Sequence, residues 1–171
     1  MKLRVLENKD APFMLEWMKD KRVNRFFRFD SENIDEKSVE EFIKNSFKSD
    51  NNSYHFAIAD DNDEYLGTVS LKKIDLKARS AEYAISIRYS AQGKGVGKFA
   101  TQKILDFAFN ELNLNRIYLN VLSENKNAIC FYEKQGFTFE GEFYHHINIR
   151  GKLKSLKWYR MMRCEYAKNK L

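Results

Sequence analysis

SAEYAISIRYSAQGKGVGK, residues Ser80 to Lys98, is the stretch on which the reading of this chain turns. Its first half, Ser80 to Arg88, alternates as a strand does. Its second half sets Gly93, Gly95 and Gly97 just ahead of a long apolar helix face made by Phe99, Ala100, Ile104, Phe107, Ala108 and Leu112. A glycine-rich turn between strand and helix gathers backbone N–H groups at the positive end of the helix dipole. The run Gln92, Gly93, Lys94, Gly95, Val96, Gly97, Lys98 therefore predicts an anion site, to which Lys94 and Lys98 add charge. A plain turn with no ligand fits the glycines equally well. Spacing excludes two phosphate loops. Phe99 follows Gly97-Lys98 where a nucleoside-triphosphate loop needs Ser or Thr, and a dinucleotide fingerprint needs glycine at position 98, which is lysine.

Both flanks read as mixed α and β. Lys2 to Leu6 alternates like a short strand. Asp10, Ala11 and Pro12 predict a helix start, and Phe13, Met14, Trp17 and Met18 follow at helical spacing. Val39, Phe42, Ile43 and Phe47 mark a second amphipathic helix, and the segment Arg22 to Asp30 between them sets Phe26, Phe27 and Phe29 among arginines without a period. Tyr54 to Ala59 and Tyr65 to Ile74 predict a hairpin around the turn Asp60 to Glu64. Arg116 to Leu122 predicts a strand. Ala128, Ile129, Tyr132 and Glu133 predict a short helix stopped at Gly136, and Phe137 to Tyr144 and Leu156 to Cys164 predict two closing strands. No repeat, linker or low-complexity tract divides residues 1–171, so a single mixed α/β domain is expected.

Composition narrows the class. With 43% hydrophobic residues among 171 the chain can bury a sizeable core, which excludes disorder. Thirty basic against 24 acidic side chains give +6, favouring anionic partners. No apolar run approaches the roughly 20 residues of a membrane span. Cys130 and Cys164 match no metal or disulfide spacing and predict packing residues in a reducing compartment, so a soluble cytoplasmic protein is expected.

Gln92, Gly95 and Gly97 spell Gln-x-x-Gly-x-Gly, which resembles the pyrophosphate loop of the Gcn5-related N-acetyltransferases, the GNAT superfamily. Asn125, Ala128, Phe131-Tyr132 and Gly136-Phe137 resemble its second signature, in order and at the expected separation. The close resemblance covers roughly residues 80 to 140. It looks most like the branch containing ribosomal-protein N-terminal, spermidine and nucleotide-aminosugar acetyltransferases. The resemblance implies a single domain with a central mixed, mostly antiparallel sheet flanked by about four helices. It also implies direct transfer of acetyl from acetyl-CoA to an amine, with no covalent enzyme intermediate. Pantetheine would run beside backbone groups of Ile85 and Ile87, the loop Gln92 to Lys98 would hold the pyrophosphate, and Asn125 would add a contact. Gln92 stands where many relatives have arginine, which leaves more of the anion to the amides.

The resemblance places Tyr132 at the general-acid position, from which it would protonate the departing thiolate; taken alone, a tyrosine on an amphipathic helix is a core residue. Glu82 shares a strand face with Ala84, Ser86 and Arg88 and is the candidate base for the acceptor amine, the alternative being a half-buried glutamate paired with a nearby Lys or Arg. Trp17, Phe27 and Arg28, with Arg25 and Phe26, fall in the region that shapes the family's acceptor site; a helix pair packed on the sheet is the other reading. His145 and His146 are adjacent and so point to opposite faces of a strand, which disfavours a metal. The expected acceptor is a small amine, either a nucleotide-linked amino sugar, which suits the basic balance, or a polyamine, which would want an acidic pocket. A protein N-terminus is the alternative. A basic nucleic-acid-binding module is a weak rival because the basic residues are spread along the chain. Self-association is left open.

Overall fold

The computed structural model describes residues 1–27, 29, 31–46 and 52–168. Seven strands form one sheet in the order β1-β2-β3-β4-β5-β7-β6. They are β1 (Lys2–Val5), β2 (Tyr54–Ala59), β3 (Tyr65–Asp75), β4 (Ser80–Ile87), β5 (Arg116–Leu122), β6 (Thr138–Ile149) and β7 (Lys152–Met162). All pairings are antiparallel except β4 with β5.

Six α-helices are described where about four were expected: α1 (Ala11–Lys19), α2 (Lys21–Asn24), α3 (Glu36–Asn45), α4 (Val96–Asp106), α5 (Lys126–Lys134) and α6 (Arg163–Lys168). The additional two are short. α2 is a single turn capped by Asp20, whose carboxylate accepts from the Arg22 N–H, and α6 takes up Cys164, which the sequence reading had in a strand. Phe47 lies outside the described residues.

The alternation of β2 and β3 gives the sheet two apolar faces. Ala57 joins Leu6, Met14, Trp17, Val39 and Ile43 under α1 and α3. Ile58, Val69 and Leu71 join Ala100, Ile104, Ala108 and Ile129 under α4 and α5. Each fully buried aliphatic side chain of this kind contributes about 1.5–3 kcal/mol of hydrophobic stabilisation. Asp10 precedes α1 as expected but does not cap it with its side chain. It is buried and takes the Arg4 guanidinium through two hydrogen bonds of 2.8 Å, tying β1 to the helix start. Cys130 and Cys164 are both exposed, contrary to their reading as packing residues, because each falls on the outward side of an amphipathic helix. Among the described residues no helix is long and apolar enough to cross a membrane.

The feature that positions the site is a divergence of two strands. β4 and β5 pair only at Ser80–Arg116, Ala81–Ile117 and Glu82–Tyr118. Beyond that neck β4 stays with β3 through Ile87, while β5 stays with β7 through Leu122, so the sheet splits into a V. Gly67 lets β3 follow β4 closely along one arm. A Cβ there would stand 2.4 Å from the Ser86 carbonyl oxygen, too close for any real contact. Gly67→Ala is therefore expected to destabilise the fold by about 1–3 kcal/mol. Calorimetry should show a melting temperature lowered by several degrees; an unchanged one would mean that the arm yields freely.

Candidate active site

The open arm of β4 carries unpaired backbone groups. The Arg88 N–H bonds to the Leu66 carbonyl at 3.0 Å, so alternate residues Ser86 and Ala84 also face β3, and the N–H and C=O groups of Ile85 and Ile87 face the opening. Gln92 donates its side-chain amide to the Ile87 carbonyl at 3.2 Å, which leaves the Ile85 groups as the free pair in this row. In a dry setting each such group would cost about 1–3 kcal/mol, so this edge is built to meet a polar ligand or water.

The loop after β4 closes the outer end of the V. Gly93 and Gly95 have φ of +76° and +79°, a left-handed backbone that disfavours any side chain. Gly97 is glycine for a different reason: a Cβ would lie 3.1 Å from the Phe131 ring and 3.2 Å from Ile87 Cδ1. No side chain caps α4, and its first backward hydrogen bond is Phe99 N–H to Gly95 O at 3.0 Å. The N–H groups of Val96, Gly97 and Lys98 therefore point out of the helix start, as an anion site requires. Lys98 lines this end, and Lys94 is exposed on the loop.

A cleft of about 980 Å³ runs from this loop through the V to the face covered by α1–α3. It is lined by Ile85, Ile87, Gln92, Gly93, Gly95–Lys98, Asn125 and Tyr132, and at the other end by Glu82, Lys72, Lys73, Arg22, Arg25, Phe26, Phe27 and Phe29. Most of the residues singled out from sequence are thus brought into one cavity. Trp17 is not among them: it is 5% exposed, donates its indole N–H to Tyr65 Oη at 3.0 Å and supports Phe27 and Phe29 from behind. Arg28 lies outside the described residues. Asn125 caps α5, its side chain accepting from the Ala128 N–H at 3.3 Å, while it also borders the cleft.

Tyr132 and Glu82 bracket the neck of the V from opposite faces. The Tyr132 ring is held by Tyr83, Phe131 and Phe137 at centroid distances of 6.1, 5.5 and 6.0 Å. Among the described residues its hydroxyl has no hydrogen-bond partner, and burial pushes its pKa up to about 12. Glu82 is 8% exposed and sits between Lys73 Nζ at 2.7 Å and Lys72 Nζ at 3.5 Å. Burial pushes its carboxyl up, but the two lysines outweigh burial and hold it below the usual range. The paired-glutamate alternative thus describes its surroundings.

Two elements of the site escaped the sequence reading. Arg88 ends β4 with its guanidinium on Glu16 of α1 at 2.8 Å, on Glu64 at 2.7 Å and on the Tyr65 carbonyl at 3.0 Å, which fixes the strand just before the glycine loop. The Lys72–Lys73 pair had no signal beyond two adjacent lysines.

A split parallel strand pair, with a glycine loop and an uncapped helix at its mouth, is a fold as well as a site. A profile of the acetyltransferase (GNAT) domain matches residues 1–138. The chain belongs to the GNAT acetyltransferase family. It is 33% identical over 165 residues to spermidine N(1)-acetyltransferase of Vibrio cholerae, covering 96% of this chain and 94% of that protein. It is 32% identical over 160 residues to spermidine N(1)-acetyltransferase of Escherichia coli, covering 91% and 82%. A crystal structure of the Vibrio cholerae spermidine N-acetyltransferase in complex with CoA and spermine superposes with a TM-score of 0.88 at 30% identity, covering 97% of each chain. This GNAT chain is accordingly an acetyl-CoA-dependent N-acetyltransferase, with the single α/β sheet architecture of the family.

Proposed function

We propose that this enzyme moves the acetyl group of acetyl-CoA to a primary amine of a small aliphatic polyamine such as spermidine. The observation that carries this reading is the buried Glu82 carboxylate at the neck of the V, lining the same cleft as Tyr132. Full-length likeness to enzymes that carry spermidine in their names supports it. In this reading the pantetheine arm lies along the Ile85 backbone, the pyrophosphate meets the N–H groups of Val96 to Lys98, and the thioester comes to rest at the neck. Phe27, Phe29 and Glu82 form the acceptor end.

The acceptor amine attacks the thioester carbon directly. An alkylamine with a pKa near 10.4 must first lose a proton, at a cost of about 4.6 kcal/mol at pH 7. Handing that proton permanently even to an ordinary carboxylate of pKa near 4.3 would cost about 8 kcal/mol, and the lysines make Glu82 a weaker base still. Glu82 therefore serves as a relay that accepts the proton and passes it to water. The expected consequence is a rate that climbs with pH as the amine deprotonates, with no inflection from Glu82 between pH 6 and 9, since its lowered pKa keeps it ionised throughout. Glu82→Gln should slow turnover about 100-fold at pH 7 and recover partly at high pH. A deficit equal at all pH values would reduce Glu82 to a structural role.

A second reading rests on charge. Among the described residues lining the cleft Glu82 is the one carboxylate, against Arg22, Arg25, Lys72, Lys73 and Lys98. An amine that also carries an anion, such as a nucleotide-linked amino sugar, would suit that balance. Thiol release from acetyl-CoA, measured against polyamines, amino sugars, nucleotide-linked amino sugars and peptides with free N-termini, separates the two. Turnover confined to the anionic amines would overturn the polyamine reading.

A further inference from the structure

Lys72 and Lys73 are adjacent on β3, and in a regular strand their side chains would leave opposite faces of the sheet. They do not, because the β3–β4 register shifts between Lys72 and Asp75, and Lys73 takes a left-handed backbone with φ of +50°. Such a conformation is uncommon for a residue with a side chain, and a bulge beside a site serves to re-aim one. Here it turns Lys73 onto the face of Lys72, so that both ammonium groups reach Glu82, Lys73 Nζ at 2.7 Å from Oε2 and Lys72 Nζ at 3.5 Å from Oε1. Glu82 Oε2 is buried beneath the Lys73 ammonium, and that ion pair is the contact the structure gives it.

The Lys73 head group is a primary alkylamine at the end of a methylene chain, which is also the chemistry of a polyamine terminus. It stands at the carboxylate that the proposed function assigns to the acceptor amine, on the rim of the cleft proposed to take acetyl-CoA, with its side chain 72% exposed. The geometry points to Lys73 as a tethered occupant of the acceptor-amine position that is itself acetylated when acetyl-CoA is bound and no free acceptor is present. This inference rests on the acetyl-transfer reading of the cleft but not on the identity of the diffusible acceptor.

The step balances with acetyl-CoA as co-reactant. Lys73 gives a proton to Glu82, which passes it to water, and the Nζ lone pair forms an amide bond with the thioester carbon. The C–S bond breaks, the sulfur leaves as the CoA thiol with a proton from Tyr132, and the second Nζ proton, released as the amide forms, returns through water to the Tyr132 oxygen. Acetylation removes one of the two cations on Glu82 and leaves Lys72 alone beside it. A cationic acceptor then meets less competition for the carboxylate, so the modified enzyme should show a lower KM for a polyamine than the unmodified one. Tethering favours the reaction because a chain-linked amine needs no separate binding event.

The test is incubation of the purified protein with isotope-labelled acetyl-CoA, followed by peptide mass spectrometry over time. Lys73 is expected to take label at least about tenfold faster than Lys77, an exposed lysine just beyond the same bulge, because general-acid catalysis acts only inside the cleft. Tyr132→Phe should bring the Lys73 rate down to that of Lys77. Labelling of Lys73 no faster than Lys77, or labelling that Tyr132→Phe leaves untouched, overturns the inference. Spermidine turnover, measured on a separate aliquot of the same protein so that no free acceptor competes during labelling, reports on the proposed function. Turnover with Lys73 unlabelled defeats the inference alone; label on Lys73 without spermidine turnover sustains the inference and defeats the polyamine reading.

Discussion

Tyr132→Phe is expected to lower kcat about 10²- to 10⁴-fold while acetyl-CoA affinity stays within a few-fold of wild type. The ring is fixed by Tyr83, Phe131 and Phe137, so phenylalanine keeps the packing and loses only the hydroxyl. That hydroxyl makes no hydrogen bond among the described residues and faces the cleft, so its removal breaks no structural contact. A phenol near 12 is roughly three to four units more acidic than bulk water at 15.7, which makes it the better proton donor to a departing thiolate. Losing it should raise the barrier by about 3–5 kcal/mol. Because its pKa is raised, the donor stays protonated below about 12 and adds no alkaline fall in rate over an ordinary assay range. Stopped-flow or steady-state thiol release with a working acceptor checks this. A kcat within a few-fold of wild type would make Tyr132 a packing residue.

Gly95→Glu should abolish useful acetyl-CoA binding. A Cβ at Gly95 has nothing within 4 Å, so the fold has room for a side chain and bears only the strain of φ +79°, about 1–2 kcal/mol. The carboxylate, however, would stand among the N–H groups at the start of α4, the site proposed for the pyrophosphate. Losing charge-assisted hydrogen bonds and adding repulsion should weaken binding about 100-fold or more, read by titration calorimetry. Gly95→Ala separates strain from charge and should bind far better. Equal affinity of Gly95→Glu and wild type would move the pyrophosphate elsewhere.

The parts of the fold that were legible in the sequence are those with short-range causes. The glycine loop, the apolar face of α4 and the stop of α5 at Gly136, with φ of +87°, follow from periodicity and backbone freedom. The closing hairpin was underestimated. β6 runs to Ile149 and β7 starts at Lys152, because bulges between Phe139 and Gly141 and between Phe143 and Ile147, with His145 at φ +48°, break the alternation that marks a strand. Trp17 looked like a ligand-facing aromatic, but its role depends on Tyr65, 48 residues away, which takes its N–H. Glu82 could be placed on a strand, but not between two lysines, since that depends on a left-handed lysine that no local pattern announces. Arg88 likewise joins three segments that only the folded sheet brings together.

The most direct measurement of the proposed activity is product analysis of the purified enzyme with acetyl-CoA and spermidine, counting thiol released against N-acetylated spermidine by mass spectrometry. One acetylated amine per thiol, with the yield lost in Tyr132→Phe, is the expected result. Thiol matched by free acetate with spermidine unchanged would contradict transfer to a polyamine amine.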